Sequence, residues 1–264
     1  MNTSTRPLAL VTGASGGIGE AIARELAAKG HDLVLVARST GKLQGLADEL
    51  SAEHRVIVHV LTADLAHAGA GHALASELAE RGLDIDVLVN NAGFADFGEM
   101  WKAEAPKLDS MIALNVAVLT ELMHDLIPSM VSRGRGRIMN VASTAAFFPG
   151  PLMGVYYATK AYVLSLSEAT NEELKGTGVT VTALCPGPTQ SGFQVAAAME
   201  NSKLVKGRKI PSAEHVAGLG VAAMLKGKPV AVIGTKNKLS VMSPRFMPRS
   251  LVPGMVKRAQ ASSH

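Results

Sequence analysis

At 264 residues, with 47% of them hydrophobic and 26 glycines, the chain is sized for one folded α/β domain with a full core, and extensive disorder is excluded. Its one cysteine, Cys185, rules out an intramolecular disulfide framework, reads as a small buried residue and points to a reducing compartment, hence the cytoplasm. The net charge of +4 is uneven: from Ser191 onward there are 12 Lys/Arg against 2 Asp/Glu, so this basic last quarter could face an anionic substrate, an acidic protein or a membrane surface, or be merely solvated.

Taken in chain order, short apolar runs alternate with helix-like stretches. Leu8–Thr12 reads as a strand and Gly17–Lys29 as a helix. Leu33–Ala37 is a strand followed by a helix through Leu43–Leu50. Val56–Leu61 is a strand, His72–Glu80 a helix and Val87–Asn90 a strand. A long helix is expected from Pro106 to about Met130, with Pro106 in its first turn and Pro128 kinking its end. Arg137–Ala142, Val179–Leu184 and Val230–Ile233 complete seven strands, with a helix through Val155–Leu174. The strands are apolar throughout, as parallel strands covered on both faces are. The pattern predicts a doubly wound, Rossmann-type parallel sheet of seven strands with helices on both faces, as a single domain.

No stretch approaches the roughly 18–20 apolar residues of a membrane span, and Met1–Pro7 lacks the apolar core of a signal peptide. No transmembrane segment is expected, and no nucleic-acid partner. None of the eight histidines has metal-ligand spacing, so no metal site is expected either.

The turn after the first strand is Thr12-Gly13-Ala14-Ser15-Gly16-Gly17-Ile18-Gly19. Glycines there permit a tight turn and let backbone N–H groups approach a pyrophosphate at a helix N-terminus, although a plain structural turn also fits. The spacing is G-x3-G-x-G, not the longer dinucleotide fingerprint. Ala37-Arg38-Ser39 closes the second strand where an acidic residue would hold the ribose of NAD. Arg38 would instead pair with the 2′-phosphate of NADP, assisted by Ser15, Ser39 and Lys42. NADP(H) is favoured over NAD(H); the plainer reading is a solvent-exposed arginine.

Tyr156 and Lys160 lie four residues apart on one helical face. A free phenol has a pKa near 10, about three units or about 4 kcal/mol from neutrality. An ammonium about 4 Å away at an effective dielectric of ~20 supplies about that much towards the phenolate. Ser143 sits 13 residues before Tyr156 at a strand end, where α/β sheets present ligand-binding groups.

In order along residues 6–235, Thr12-Gly13-x3-Gly17-x-Gly19, Asp64-Leu65, Asn90-Asn91-Ala92-Gly93, Asn115, Ser143, Tyr156-x3-Lys160 and Pro186-Gly187-x-Thr189 resemble the short-chain dehydrogenase/reductase family, in its single-domain NADP(H)-preferring branch. The resemblance implies Tyr156 as general acid for carbonyl reduction or base for alcohol oxidation. It implies that Lys160 lowers the phenol's pKa and holds the nicotinamide ribose, and that Ser143 binds the substrate oxygen. Asn115 would anchor a water linking Lys160 to solvent. On the cofactor side it implies Gly13, Ser15, Gly17, Ile18 and Gly19 at the pyrophosphate, Arg38 and Ser39 at the 2′-phosphate, and Asp64 with Leu65 at the adenine. Asn91, Ala92 and Gly93 would line the adenosine ribose, and Pro186, Gly187 and Thr189 the nicotinamide. An arginine found beside the glycines in another NADP-preferring pattern is absent, since that position is Gly16. Tyr157 does not match the family spacing and is read as packing or substrate-facing.

The implied activity is hydride transfer between NADP(H) and a carbonyl or secondary alcohol. The alternative is a non-catalytic dinucleotide-binding regulator, which usually lacks Tyr or Lys. An epimerase or dehydratase would need about 70 further residues of substrate domain, and enoyl reductases resemble a wider Tyr–Lys spacing.

Ala145, Phe147, Phe148, Pro149, Leu152 and Met153 before Tyr156, and Phe94, Phe97, Met100 and Trp101 after the Asn-Asn-Ala-Gly segment, either face an apolar substrate or pack the core. Phe193 to Met199 begins what resembles a substrate loop over about 190–212. Residues 1–237 form the catalytic domain. Residues 238–264 are a basic segment of the same domain, interrupted by Pro244, Pro248 and Pro253, where only short helical turns fit. Its Leu239, Met242, Phe246, Met247, Leu251, Met255 and Val256 are expected to fold over the substrate side or a partner subunit. Apolar residues on a second face of the long helix and the Tyr156 helix (Ile112, Leu119, Met123; Val163, Leu166, Ala169), with the family implication of a four-helix contact, predict a dimer or tetramer.

Overall fold

A computed structural model describes residues 6–192 and 210–260. Seven strands form one sheet: β1 (Leu8–Thr12), β2 (Asp32–Ala37), β3 (Val58–Thr62), β4 (Val87–Asn90), β5 (Gly136–Val141), β6 (Val179–Cys185) and β7 (Val230–Val232). Their order is β3-β2-β1-β4-β5-β6-β7 and every pairing is parallel. The order reverses between β1 and β4, which opens a crevice at the carboxyl ends of the strands. β1, β2 and β4 are buried along their whole length, whereas the edge strand β3 is mostly half-buried.

Helices cover both faces. On one side lie α1 (Gly17–Ala28), α2 (Thr40–His54) and α7 (Ala213–Leu225), whose Ile22, Leu26, Leu43, Leu50 and Val216 pack with Val11, Leu35 and Met139 of the sheet. On the other lie α3 (Ala70–Glu80), α4 (Ala105–Ile112), α5 (Val118–Ser132) and α6 (Gly154–Glu173), burying Leu74, Leu122, Met130 and Val163 on Leu10, Leu88 and Ile138. α7 was not foreseen. Its signals are Ser212, whose hydroxyl caps the helix by accepting from His215 N at 3.3 Å, and an apolar run rich in Ala and Gly.

The long helix departs from expectation in two ways. A π-helical turn, Ala113–Ala117, separates α4 from α5, and α5 continues four residues past Pro128. Pro128 faces solvent, so water can satisfy the carbonyl its ring leaves without a donor. The run Ala105–Ser132 is also long and apolar enough, by length and composition, to cross a membrane, unlike the sequence reading. The sheet accounts for much of that apolarity, because Val118, Leu119, Leu122, Met123, Leu126 and Met130 are buried against it or its neighbouring helices. Leu119, Met123 and Val163, expected on a second apolar face, thus belong to the core; Ile112 and Ala169 are exposed.

The C-terminal segment folds as α8 (Thr235–Met242), a 3-10 turn Ser243–Phe246, a second at Arg249–Leu251, and α9 (Val252–Gln260). The expected boundary at 237/238 falls inside α8.

A polar ladder crosses the interior where β4, β5 and α6 meet. Asn90 Nδ2 donates to Asn140 Oδ1 at 2.9 Å, Asn140 Nδ2 donates to Ser167 Oγ at 2.9 Å, and Ser167 Oγ donates to the Val163 carbonyl at 2.6 Å. Asn90 and Asn140 are register neighbours, so the ladder fixes the strand ends that carry the crest loops. Asn140→Ala would leave the Asn90 amide without this acceptor in a buried setting. Urea unfolding is expected to show a loss of about 2–4 kcal/mol; a loss below about 0.5 kcal/mol, the range of surface changes, would contradict the ladder's role.

Candidate active site

The crest is built from strand ends. Gly13 N and Ala14 N both donate to the Val36 carbonyl, at 2.8 and 3.3 Å, folding the glycine turn over the end of β2. Gly17 opens α1 at φ +59°, and a Cβ there would stand 2.7 Å from the Ser191 carbonyl oxygen. A Cβ on Gly19 would strike the Asn91 amide and the Gly13 carbonyl, so α1 packs this close only without a side chain. The first-turn N–H groups of α1 have no acceptor within the helix, and Gly17 and Ile18 of that turn line the crest cavity.

Asn91 is a staple. Its Nδ2 donates to the Thr12 and Gly13 carbonyls at 2.9 and 3.2 Å, and Asn91 N and Ala92 N donate to Thr12 Oγ1 at 3.0 and 3.1 Å. The side chain therefore holds the glycine turn, and the Asn91–Gly93 backbone forms the lining. Thr12, buried at the centre of this arrangement, stood in the sequence only as the first residue of the glycine motif, with no role assigned; a hydroxyl in an otherwise apolar strand was its signal.

Ser143 stands where the chain leaves β5. Its Oγ accepts from Ala145 N at 3.1 Å and is hydrogen-bonded to the Tyr156 phenol. One turn along α6, Lys160 Nζ donates to the Val141 carbonyl at 2.7 Å and lies 5.8 Å from the Tyr156 ring centre. Tyr156 and Lys160 are both buried. Burial pushes the Tyr156 phenol above its ordinary value; the Ser143 hydrogen bond opposes that shift and Tyr157 adds to it. Burial pulls Lys160 down to about 8, against a smaller opposing effect of Cys185. Desolvation thus dominates both shifts, and the lysine's hydrogen bond goes to a backbone carbonyl. Cys185 itself is buried and pushed up to about 12, an unreactive thiol.

Asn115 lies in the π-helical turn, buried beneath the same segment. Its Nδ2 donates to the Phe94 carbonyl at 3.0 Å and to Thr159 Oγ1 at 3.1 Å, and its Oδ1 accepts from Phe94 N at 3.2 Å. The side chain is thus a clamp on the Gly93–Phe94 backbone, with one lone pair of Oδ1 left for the water the resemblance implied. The π turn rotates this asparagine inward, a placement that regular helical periodicity does not give. A Cβ on Gly93 would sit 2.9 Å from Asn115 Oδ1 and 3.5 Å from Lys160 Nζ.

A cavity of about 410 Å³ runs along the crest. Of the expected residues it brings together Gly13, Gly17, Ile18, Asn91, Ala92, Gly93, Ser143, Tyr156, Lys160, Pro186, Gly187 and Thr189. Pro188, Ser191 and Gly192 line it too and were missed, lying in a loop whose course no periodicity reveals. Gly19 and Asn115 act from behind the wall. Arg38, Ser39 and Asp64 are exposed beside the carboxyl ends of β2 and β3, outside the cavity, whereas Leu65 is buried in the core. Ser15 is half-buried in the glycine turn. Glycine backbone, a helix N-terminus and a crest with Arg38 beyond it fit an extended dinucleotide.

The far end of the cavity is apolar, with Phe94, Ala145, Met153 and Tyr157 in its wall, backed by Phe97, Met111 and Phe148. Other apolar residues expected there lie elsewhere: Phe147 packs with the sheet, and Met100 and Trp101 are exposed. The stretch from Phe193 to Met199 lies outside the described residues. Tyr157 packs as expected, and its hydroxyl accepts a hydrogen bond from Gln260 Nε2, the buried last residue of α9. Val256 of α9 packs on the same cluster. The C-terminal segment therefore does fold against the substrate side, although Leu239, Met242, Phe246, Leu251 and Met255 stay exposed rather than buried.

Residues 7–201 match the family model of short chain dehydrogenases. The very-long-chain 3-oxoacyl-CoA reductase of Bos taurus is 36% identical over 185 residues, covering 67% of this chain and 58% of the bovine protein; the chain thus spans little more than half of that relative. Among solved structures, a short-chain dehydrogenase from Sphingobium yanoikuyae in complex with NADPH is similar at a TM-score of 0.81 and 32% identity, covering 97% of this chain and 99% of that one. A bulky-bulky ketone specific alcohol dehydrogenase from Comamonas testosteroni gives a TM-score of 0.78 at 27% identity, covering 99% and 98%. With a family match over residues 7–201 and the same fold in these structures, the chain belongs to the short-chain dehydrogenase family.

Proposed function

We propose that the chain is an NADP(H)-dependent oxidoreductase that reduces an apolar ketone or acyl-type carbonyl, or oxidises the matching secondary alcohol. The observation that carries this reading is the Tyr156–Ser143 hydrogen bond in a cavity whose other end is the glycine turn. Two hydroxyls that meet one another also converge on a single carbonyl oxygen placed between them. When bound, the dinucleotide supplies the hydride.

The protein's own part is to orient and to move a proton. Ser143 donates a hydrogen bond to the substrate oxygen, and Tyr156, kept protonated by burial, gives it the phenolic proton. Lys160, charged below about pH 8, steadies the phenolate left behind and holds the ribose of the dinucleotide. The backbone of Gly13–Gly19 with Ser15, the Asn91–Gly93 segment, and Pro186, Gly187 and Thr189 hold the dinucleotide along the crest. Asp64, with the backbone of Leu65 beside it, meets its adenine, and Arg38 with Ser39 its 2′-phosphate. A regulator that only binds dinucleotide needs neither buried group, and an uncompensated buried ammonium is costly to keep.

Phe94, Met153 and Tyr157 support an apolar substrate. The bovine relative's name, a very-long-chain 3-oxoacyl-CoA reductase, and the bulky-ketone enzyme point the same way. Self-association as a dimer or tetramer is part of the proposal. The exposed Tyr162 of α6 and Thr120 of α5, hydrogen-bonded at 3.0 Å, flank a concave surface that a second copy would cover. A cytoplasmic setting is part of the proposal too, supported by the single cysteine, with which no intramolecular disulfide can form.

Two measurements test the reading. Tyr156→Phe keeps the ring and removes the proton, so ketone-dependent NADPH oxidation is expected to fall at least ~10²-fold with NADPH affinity little changed. Activity within tenfold of wild type would remove Tyr156 from the chemistry. Arg38→Asp is expected to weaken NADPH by about 10–150-fold, the worth of a charge-assisted hydrogen bond, and to favour NADH. Equal affinity of the wild-type protein for NADH and NADPH would overturn the assignment of Arg38.

A further inference from the structure

The C-terminal segment has a second face that the fold leaves uncovered. α9 turns Val252, Val256 and Gln260 inward at four-residue spacing, and Val256 and Gln260 pack on the cavity wall. Leu251 and Met255, again four apart, are exposed beside it. In α8 and the turn after it, Val241 is buried, whereas Leu239, Met242 and Phe246 recur at spacings of three and four and are 69%, 49% and 80% exposed. One exposed leucine needs no explanation; five large apolar side chains exposed within residues 239–255, spread over α8, the two 3-10 turns and α9, are a concentration that calls for one.

The same elements carry charge of one sign. Lys236, Lys238, Arg245, Arg249, Lys257 and Arg258 are all exposed, and residues 235–260 contain no aspartate or glutamate. The complement of such a face is broad, anionic and apolar beneath. A second copy docked through the same face would set six cations against six. We propose that this face docks on an anionic lipid surface. Leu239, Met242, Phe246, Leu251 and Met255 would enter the boundary between headgroups and acyl chains, and the six cations would meet the lipid phosphates and carboxylates. Pro244, Pro248 and Pro253 break the segment into short pieces, so it lies in the interface and does not span. Because the inner stripe of α9 forms part of the wall behind Tyr157, the lipid would lie about one helix diameter, ~10 Å, from the apolar end of the cavity. An apolar carbonyl compound dissolved in the bilayer would then have a short path in; that consequence rests on the proposed reaction, whereas the docking does not.

Sedimentation of the full chain with extruded vesicles tests the docking without any turnover. Binding is expected to vesicles of equal parts phosphatidylcholine and phosphatidylserine at about 0.1 M salt, to be lost at about 1 M, and to be weak on phosphatidylcholine alone. The pair Arg245→Gln and Arg249→Gln is expected to weaken binding about 30-fold, roughly fivefold for each charge. Phe246→Ser, at a side chain exposed to solvent, is expected to weaken it about tenfold or more. Unchanged thermal melting checks that the variants remain folded. No binding to the phosphatidylserine vesicles, equal binding to both kinds, or binding that salt leaves intact would each overturn the proposal, the first of these favouring an acidic protein as the partner.

Discussion

Lys160 brings an ammonium into the interior of the domain, and much of the surrounding structure answers to that. Its Nζ donates to the Val141 carbonyl, so β5 must end at that height, and the Asn90–Asn140–Ser167 ladder holds β4, β5 and α6 in the register that puts it there. Gly93 leaves the space above the ammonium open, because a methyl there would close it against Asn115. Asn115 keeps that backbone in place from a π-helical turn. The ammonium is held against its own desolvation, which lowers its pKa to about 8. Such a group is stabilised more in its neutral form, and between about pH 8 and its ordinary value the unfolded chain binds more protons than the folded one. Folding stability therefore rises with pH through that window, by up to about 3 kcal/mol. A site that costs the fold this much is a feature of function rather than of packing.

Much of this was legible in the sequence. β1 and β4 were bounded to the residue, because a run such as Leu8–Val11, closed by Thr12 and a glycine turn, has few other readings. The glycine turn, Ser143 and the Tyr156–Lys160 spacing converge on one cavity as the ordered motifs implied. Other features were not legible, for identifiable reasons. α7 is rich in alanine and glycine, and its burial follows from packing against α1 rather than from a marked apolar stripe. The inward turn of Asn115 depends on a π turn, and periodicity presumes a regular helix. The direction of the Tyr156 and Lys160 shifts depends on burial, which a four-residue spacing does not report: the sequence argument weighed the charge pair and left desolvation out.

The C-terminal segment shows the same division. Its prolines led to the expectation of short helical turns alone, where α8 and α9 are full helices, and its apolar residues to that of docking on the substrate side or a partner subunit. Which of those residues face inward was fixed by the tertiary fold: Val252, Val256 and Gln260 pack, and the more apolar Leu239, Phe246 and Leu251 do not. Tyr157, adjacent to the acid, thereby becomes the point where the last helix touches the site through Gln260. Substrate preference and the C-terminal helix are in this way mechanically joined.

The central claim is that buried Lys160 must be charged for Tyr156 to give up its proton. The kcat/KM for NADPH-dependent reduction of an aromatic ketone, followed against pH, reports the free enzyme's essential groups and tests this most directly. Reduction is expected to be level below pH 8 and to fall about tenfold per unit above a midpoint of about 8. A profile that stays level to about pH 10 would show a lysine with its ordinary ammonium and would contradict the account.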